Sequence, residues 1–350
     1  MLGRNQTVVL FVTTLFVGVL QFTDTYWVKR VVDNYLSSQI AKSYAVRTYE
    51  CPEPKLEERY KFYVGNRYCN HSVPVEVHEH CDIPLCVKPS ASPLLRRLDS
   101  FHMYYDELTE RIKRPALAMF GDRRDVQLSC PVLVKARLSG KRHNILMKME
   151  IARHFGPVKI SNVFDTIPFS EKEDIAIWNG ATTGGTGDDS QRWAILNRIQ
   201  SLRHNPLFDV RVAAYVQNQG RTNEFGTTKQ RSVRDSLRYK MLIDAEGNDV
   251  SSGLKWKLAS SSVVIMPTPT ISSWAAEELL EPWVHYIPVR QDFMDLEKAV
   301  DWCLSHLDEC EQIGANGRCW MQQFLDEELE KAMIGRVLAM STPCTELFSI

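Results

Sequence analysis

The chain of 350 residues is expected to fold as an α/β protein built around parallel strands. Three observations predict it. Short apolar, β-branched runs recur in the second half, as at Val263–Met266 and Tyr239–Ile243, and such runs suit strands buried on both faces. Segments with helical spacing separate them, which is the alternation of a doubly wound sheet. Glycine-bearing and acidic turns follow several of the strands, where open parallel sheets hold their ligands.

The composition sets limits. With 44% apolar and 24% charged residues, the chain is globular rather than disordered. Its 42 basic and 43 acidic residues leave a net charge of −1, without the basic excess of a nucleic-acid binder. The length suggests two domains. Nine cysteines fall mainly into an early cluster (Cys51, Cys69, Cys81, Cys86) and a late one (Cys303, Cys310, Cys319, Cys344). No CxxC pair occurs, which argues against a zinc ribbon; in a lumenal chain, disulfides within each cluster are expected, with pairings open.

Taken in order, Val8–Phe22 is fifteen residues without a charge, short of the ~20 of a typical membrane span. No small-x-small cleavage site follows it, so residues 1–28 read as a cytosolic tail and an uncleaved signal anchor. Residues 29–90 form a stalk and a cysteine-rich lumenal segment carrying the glycosylation sequon Asn70-His71-Ser72. His71, His78 and His80 beside Cys81 match no standard metal spacing. Ser92–Arg114 reads as a helix, and Pro115–Phe120 as a strand released into Gly121-Asp122. Pro131–Lys135 is a second strand, and Ile145–His154 a helix stopped by Gly156-Pro157.

In the second half, the strand Asp174–Trp178 runs into the glycine- and threonine-rich turn Asn179–Gly187, ahead of the helix Ser190–Leu202. Free N–H groups there and the positive end of a helix suit phosphate. The turn is neither a Walker A nor a GxGxxG motif. Phe208–Val216 is a strand, Asn218–Arg234 a polar loop, and Tyr239–Ile243 a strand ending in Asp244–Asp249. A helix from Gly253 leads into the strand Val263–Met266, which Pro267 and Pro269 stop. Trp274–Leu280 has helical spacing, Val284–Val289 reads as a strand, and residues 295–335 as helical.

The segments LKWKLASSSVV (254–264), PWVHYIPV (282–289) and DLEKAVDW (295–302), with YKMLIDAEGND, IWNGATTG and IGANG around them, resemble glycosyltransferase family 90. That family includes capsule xylosyltransferases and protein O-glucosyltransferases. The resemblance implies a GT-B-like fold, two Rossmann-like domains facing a cleft: an acceptor domain at 91–170 and a nucleotide-sugar donor domain at 171–340. It implies inverting transfer of glucose or xylose from a UDP-sugar to a glycan or protein hydroxyl. The chain would be a single-pass type II protein of the Golgi or endoplasmic reticulum membrane, with its catalytic domain in the lumen. No Asp-x-Asp occurs anywhere in the chain, so the expected transfer uses neither metal nor cofactor beyond the UDP-sugar co-substrate.

For the donor site the residues are Asn179, Gly180, Thr182, Thr183 and Gly184 of the turn, then Arg192 and Lys255. Glu277 and Glu278 could accept from ribose hydroxyls, against the plainer reading of a solvated helix face. Lys257 reads as surface charge and His285 as a hydrogen-bonded core histidine. For the base, Asp122 best matches the family's aspartate ahead of a Pro-led strand, with Asp125 its competitor and a turn-forming role the alternative. Two departures stand out: Asn179 and Gly253 occupy positions where the family commonly has arginine, a natural diphosphate clamp. Arg192 or the arginines of 221–238 are candidate substitutes; otherwise the chain is a catalytically inactive sugar-nucleotide- or glycan-binding protein on the same fold. An oxidoreductase lacks its GxGxxG and following acid.

Overall fold

A computed structural model of the protein describes residues 51–65, 85–87, 102–113, 115–120, 131–149, 152–184, 190–202, 204–217 and 225–341. All of these fall in one compact unit, 49–350. The anchor segment Val8–Phe22, the sequon at Asn70, His71, His78 and His80 lie outside the described residues. No helix among the described residues is long and apolar enough to cross a membrane.

The first half opens with α1 (Leu56–Val64), in a stretch expected to be stalk; its Phe-Tyr-Val end is buried. Then come β1 (Leu85–Val87), α2 (His102–Arg111), β2 (Ala116–Met119), β3 (Leu133–Val134), β4 (Ala136–Leu138) and β5 (Ile145–Leu146). A four-stranded sheet has the order β1-β2-β3-β5; β1 is antiparallel to β2, while β2, β3 and β5 run parallel. Residues 145–154 are not the expected helix: Ile145-Leu146 pairs with β3, and the helix α3 (Ala152–Phe164) begins later. So short a buried apolar run has no period that separates strand from helix. Pro157 lies inside α3 rather than ending it, since its fixed φ is helical and its loss is one backbone bond.

The second half contains β6 (Glu173–Ala181), α4 (Gln191–Leu202), β7 (Phe208–Ala214), α5 (Val233–Ser236), β8 (Tyr239–Ile243), α6 (Leu254–Leu258), β9 (Val263–Pro267), β10 (Ile271–Ser273), β11 (Ile287–Val289), α7 (Leu296–Ser305), α8 (Leu307–Gln322) and α9 (Glu327–Leu338). Five strands form a sheet in the order β11-β9-β8-β6-β7, all parallel. Counted from β6, this is the 2-1-3-4-5 order of a doubly wound sheet, which reverses between its first and third strands. The interior strand β9 is buried along its whole length, as its Val-Val-Ile-Met sequence requires.

Three expectations change here. Trp274–Leu280 is no α-helix: β10 pairs antiparallel with β4, Ala276 takes a left-handed φ of 53°, and Glu277–Leu279 is a single 3₁₀ turn. The Glu277 carboxylate accepts from the Ser273 N–H at 2.6 Å and fixes that turn, so Glu277 and Glu278 sit on no extended helix face. The predicted strand 284–289 shortens to β11, because Pro282–Tyr286 turns back on itself. The turn expected at Asn179 starts later, since β6 continues through Ala181.

The C-terminal helices bind the two sheets together. Gly314 and Gly317 let α8 lie against backbone: a Cβ at Gly317 would stand 2.9 Å from the His285 carbonyl oxygen, and one at Gly314 3.2 Å from that of Ser262. Met321, Phe324, Met333 and Val337 then share a core with Tyr63, Leu133 and Leu146. Glu330 of α9 pairs with Arg59 and, at 2.8 Å, with Lys148, all nearly fully buried. Cysteine pairing follows this route. Cys303–Cys310 lies within the late cluster as expected, but Cys51 joins Cys319, crossing between clusters, with Cα atoms 5.2 Å apart. The in-cluster expectation fails for Cys51 because α1, which follows it, packs on α9. Cys69, Cys81, Cys130 and Cys344 lie outside the described residues.

Candidate functional site

A cleft of about 600 Å³ opens at the carboxyl ends of β6 and β8. These are the strands between which the sheet order reverses, so the loops leaving them part and make room for a ligand. Tyr104, Lys135 and Met149 of the first half form the opposite wall. Lys135 and Met149 lie just beyond the ends of β3 and β5, so the parallel strands of both sheets aim their carboxyl ends at one cleft.

Glycines shape its floor. A Cβ at Gly180 would stand 2.8 Å from the Trp178 ring. Gly184, at φ +118°, packs on Gly247, where a Cβ would stand 2.9 Å from backbone. The loops after β6 and β8 therefore touch through two glycines. Gly247 also leaves room for an arginine, since a Cβ there would stand 2.8 Å from Nη2 of Arg192.

Arg192, in the first turn of α4, reaches back to the end of β6. Its Nη1 donates to the Ala181 carbonyl oxygen at 3.0 Å and to Thr183 Oγ1, and its buried Nε has no hydrogen-bond partner. Neither acceptor is a carboxylate. Burial pushes the guanidinium pKa down, with Asp244 pulling the other way. A half-buried cation with no ion-pair partner among the described residues, at the edge of a cleft, is a place for an anion.

The lysines are differently placed. Lys255 Nζ pairs with Glu277 Oε1 at 2.7 Å, both side chains 1% exposed. Lys257, expected on the surface, is buried; it donates to Asp244 at 2.7 Å and to the Ile243 carbonyl oxygen at 2.8 Å. Both lysines of the five-residue α6 are buried at the cleft. Lys135 meets Asp249 at 2.9 Å, joining the two walls.

Of the residues singled out from the sequence, Asn179, Gly180, Thr183, Arg192 and Lys255 line the cleft. Asn179 accepts from the Arg231 N–H at 2.6 Å and donates to the Arg211 carbonyl oxygen at 3.2 Å. Thr182 is buried and exchanges hydrogen bonds with Val216, tying β6 to the segment after β7. Gly184 forms the loop contact. Glu277 stands behind Lys255, and Glu278 is held by Arg142 at 2.6 and 2.7 Å. His285 accepts from the Glu281 N–H at 2.9 Å, with its ring against Trp320. Asp122 and Asp125 lie outside the described residues. Among the cleft residues, Gly247 and Asp249 were not singled out, although the acidic, glycine-bearing run after Tyr239–Ile243 was their signal, and Arg231 is one of the arginines of 221–238 offered as substitutes.

The description "Glycosyl transferase family 90" matches residues 156–334. An O-glucosyltransferase LpsA of Dichelobacter nodosus is 32% identical over 219 residues, which is 61% of this chain and 62% of that protein. Protein O-glucosyltransferase 2 of Danio rerio is 26% identical over 199 residues, 56% of this chain and 36% of its own length. Protein O-glucosyltransferase 3 of Homo sapiens is 25% identical over 132 residues, 37% of this chain and 26% of its own. The chain thus spans less than two thirds of the length of these curated relatives.

Proposed function

Because the chain belongs to glycosyltransferase family 90, we propose that it moves glucose or xylose from a UDP-sugar to a hydroxyl of a glycan or protein, with inversion and without a metal. The observation that carries this reading is Arg192, a buried cation with no carboxylate among its hydrogen-bond partners, at the Gly184–Gly247 contact. The acceptor oxygen attacks the anomeric carbon as the bond to the diphosphate breaks and UDP leaves with the electron pair. Arg192, with Thr183 beside it, meets the charge growing on that leaving group. Lys255, held by Glu277, forms the neighbouring wall. The acceptor proton passes to the Asp122 carboxylate. The donor cleft at the sheet reversal, facing the ends of a second parallel set, supports a GT-B-like arrangement.

Transfer and hydrolysis assays with a panel of UDP-sugars, with and without chelator, test this reading. Turnover of UDP-glucose or UDP-xylose, unchanged by chelator, is expected. Activity lost on chelation and restored by manganese would remove the metal-free mechanism. The second reading, an inactive binding protein, is favoured by Asn179, whose side chain ties neighbouring segments together rather than offering charge. Tight UDP binding with no turnover of any donor would select it.

Gly247→Ala tests the anion site directly. The new methyl group displaces the Arg192 tip, a flexible neighbour, so thermal stability should change little. UDP affinity should fall about tenfold or more, the worth of a charged hydrogen bond. Calorimetry with UDP measures it, and unchanged affinity would separate Arg192 from the diphosphate.

The disulfides Cys51–Cys319 and Cys303–Cys310 suit an oxidising compartment. They support placement in the Golgi or endoplasmic reticulum lumen, with residues 1–28 as a type II anchor. Glycan on Asn70 follows from that topology. Glycosidase treatment of protein from secretory cells should increase its mobility, and an unchanged band would count against the lumenal placement.

A further inference from the structure

Arg231, on the segment between β7 and α5, also lines the cleft. Its side chain is 8% exposed, and Nη2 pairs with Asp209 Oδ2 at 2.5 Å. The guanidinium lies over the Tyr239 ring, 5.0 Å from its centre. Its Nη1 is buried with no hydrogen-bond partner among the described residues, a donor whose desolvation an arriving oxygen would offset. Asp209 does not neutralise it fully, because that carboxylate also takes Arg211 through two bonds of 2.6 and 2.7 Å. One carboxylate shared by two guanidiniums leaves one positive charge over. The Arg192 guanidinium is anchored at the Ala181 carbonyl oxygen, and the Arg231 backbone N–H donates to Asn179 Oδ1, so the two arginines are held on either side of Gly180, where the strand has no side chain to fill the cleft.

We propose that Arg231 is a second phosphate-binding cation of this cleft, taking one phosphate of a nucleoside diphosphate while Arg192 takes the other. This rests on the reading of the cleft as a nucleotide-sugar site. Asp209 and Tyr239 position the guanidinium, one through an ion pair and the other through its ring face.

Calorimetry on the full chain with UDP, inorganic pyrophosphate and uridine tests it. Arg231→Met should weaken UDP and pyrophosphate about 10- to 100-fold and leave uridine unaffected. Arg231→Lys, which keeps the charge but loses the planar fork, should fall between, and it carries the test if the methionine variant does not fold. Arg211→Met, which leaves Asp209 to neutralise Arg231 alone, should weaken UDP and pyrophosphate by less than Arg231→Met does and leave uridine unaffected. Unchanged UDP affinity in Arg231→Met, or an equal loss for uridine, would overturn the proposal. A wild-type protein that binds pyrophosphate but no UDP-sugar would overturn the donor assignment and leave the cation pair standing. One that binds none of the three probes overturns both.

Discussion

Asp122→Asn is expected to lower turnover about 10²–10⁴-fold, the usual contribution of a general base, while UDP-sugar affinity stays nearly unchanged. The substitution is close to isosteric and removes only the group that takes the acceptor proton. Asp122 is outside the described residues, but the strand before it is not. The strands β2, β3 and β5 run parallel, and the residues just beyond β3 and β5 line the cleft. Phe120, just past the carboxyl end of β2, meets the ring of the cleft residue Tyr104 at 5.7 Å. Donor affinity should survive because Arg192 and the Thr183–Gly184 turn belong to the other sheet. Asp125→Asn should do little. Asp249, which lines the cleft but is paired with Lys135, is the control: a larger loss in Asp249→Asn than in Asp122→Asn would move the base to the β8 loop. Normal turnover in Asp122→Asn would end the assignment outright.

The second-half sheet was legible because its strands are short, apolar and bounded by proline, glycine or acid. β8 and β9 lie where Tyr239–Ile243 and Val263–Met266 placed them. What sequence could not resolve was long-range pairing. Ile271–Ser273 becomes a strand because β4 is there to pair with it, and no local pattern announces that partner. The same holds for Ile145-Leu146 against β3. Asn179, Gly180 and Thr183 line the cleft, although the turn they were read into begins only after Ala181. The site was not readable where it depends on which charges meet. Lys257 looked like surface charge because spacing cannot show Asp244 waiting for it. Arg231 sat in a loop of many arginines, and only the fold selects the one whose guanidinium enters the cleft wall.

Lys255→Met is expected to destabilise the protein by about 3–5 kcal/mol, the usual consequence of removing one partner from a buried ion pair. Glu277 is fully buried. It would keep its bonds from the Ser273 N–H at 2.6 Å and Ser273 Oγ at 2.8 Å but lose the only cation that its hydrogen bonds include. Those bonds hold the 3₁₀ turn that follows β10, and β10 is paired to β4 of the other half, so the damage reaches the cleft's walls and not the pocket surface alone. Glu277→Gln alone leaves Lys255 charged beside the Trp274 ring, 5.9 Å from its centre, and should be destabilising by a similar amount. The double variant should be more stable than the two single losses added together, because no unpaired charge is left behind. Denaturant titration of the four proteins gives that coupling, expected at about 1–3 kcal/mol for residues in contact. Additive losses would mean that Lys255 and Glu277 act independently. If Lys255→Met instead kept its stability while UDP-sugar affinity collapsed, Lys255 would be a donor ligand first and the partner of Glu277 second.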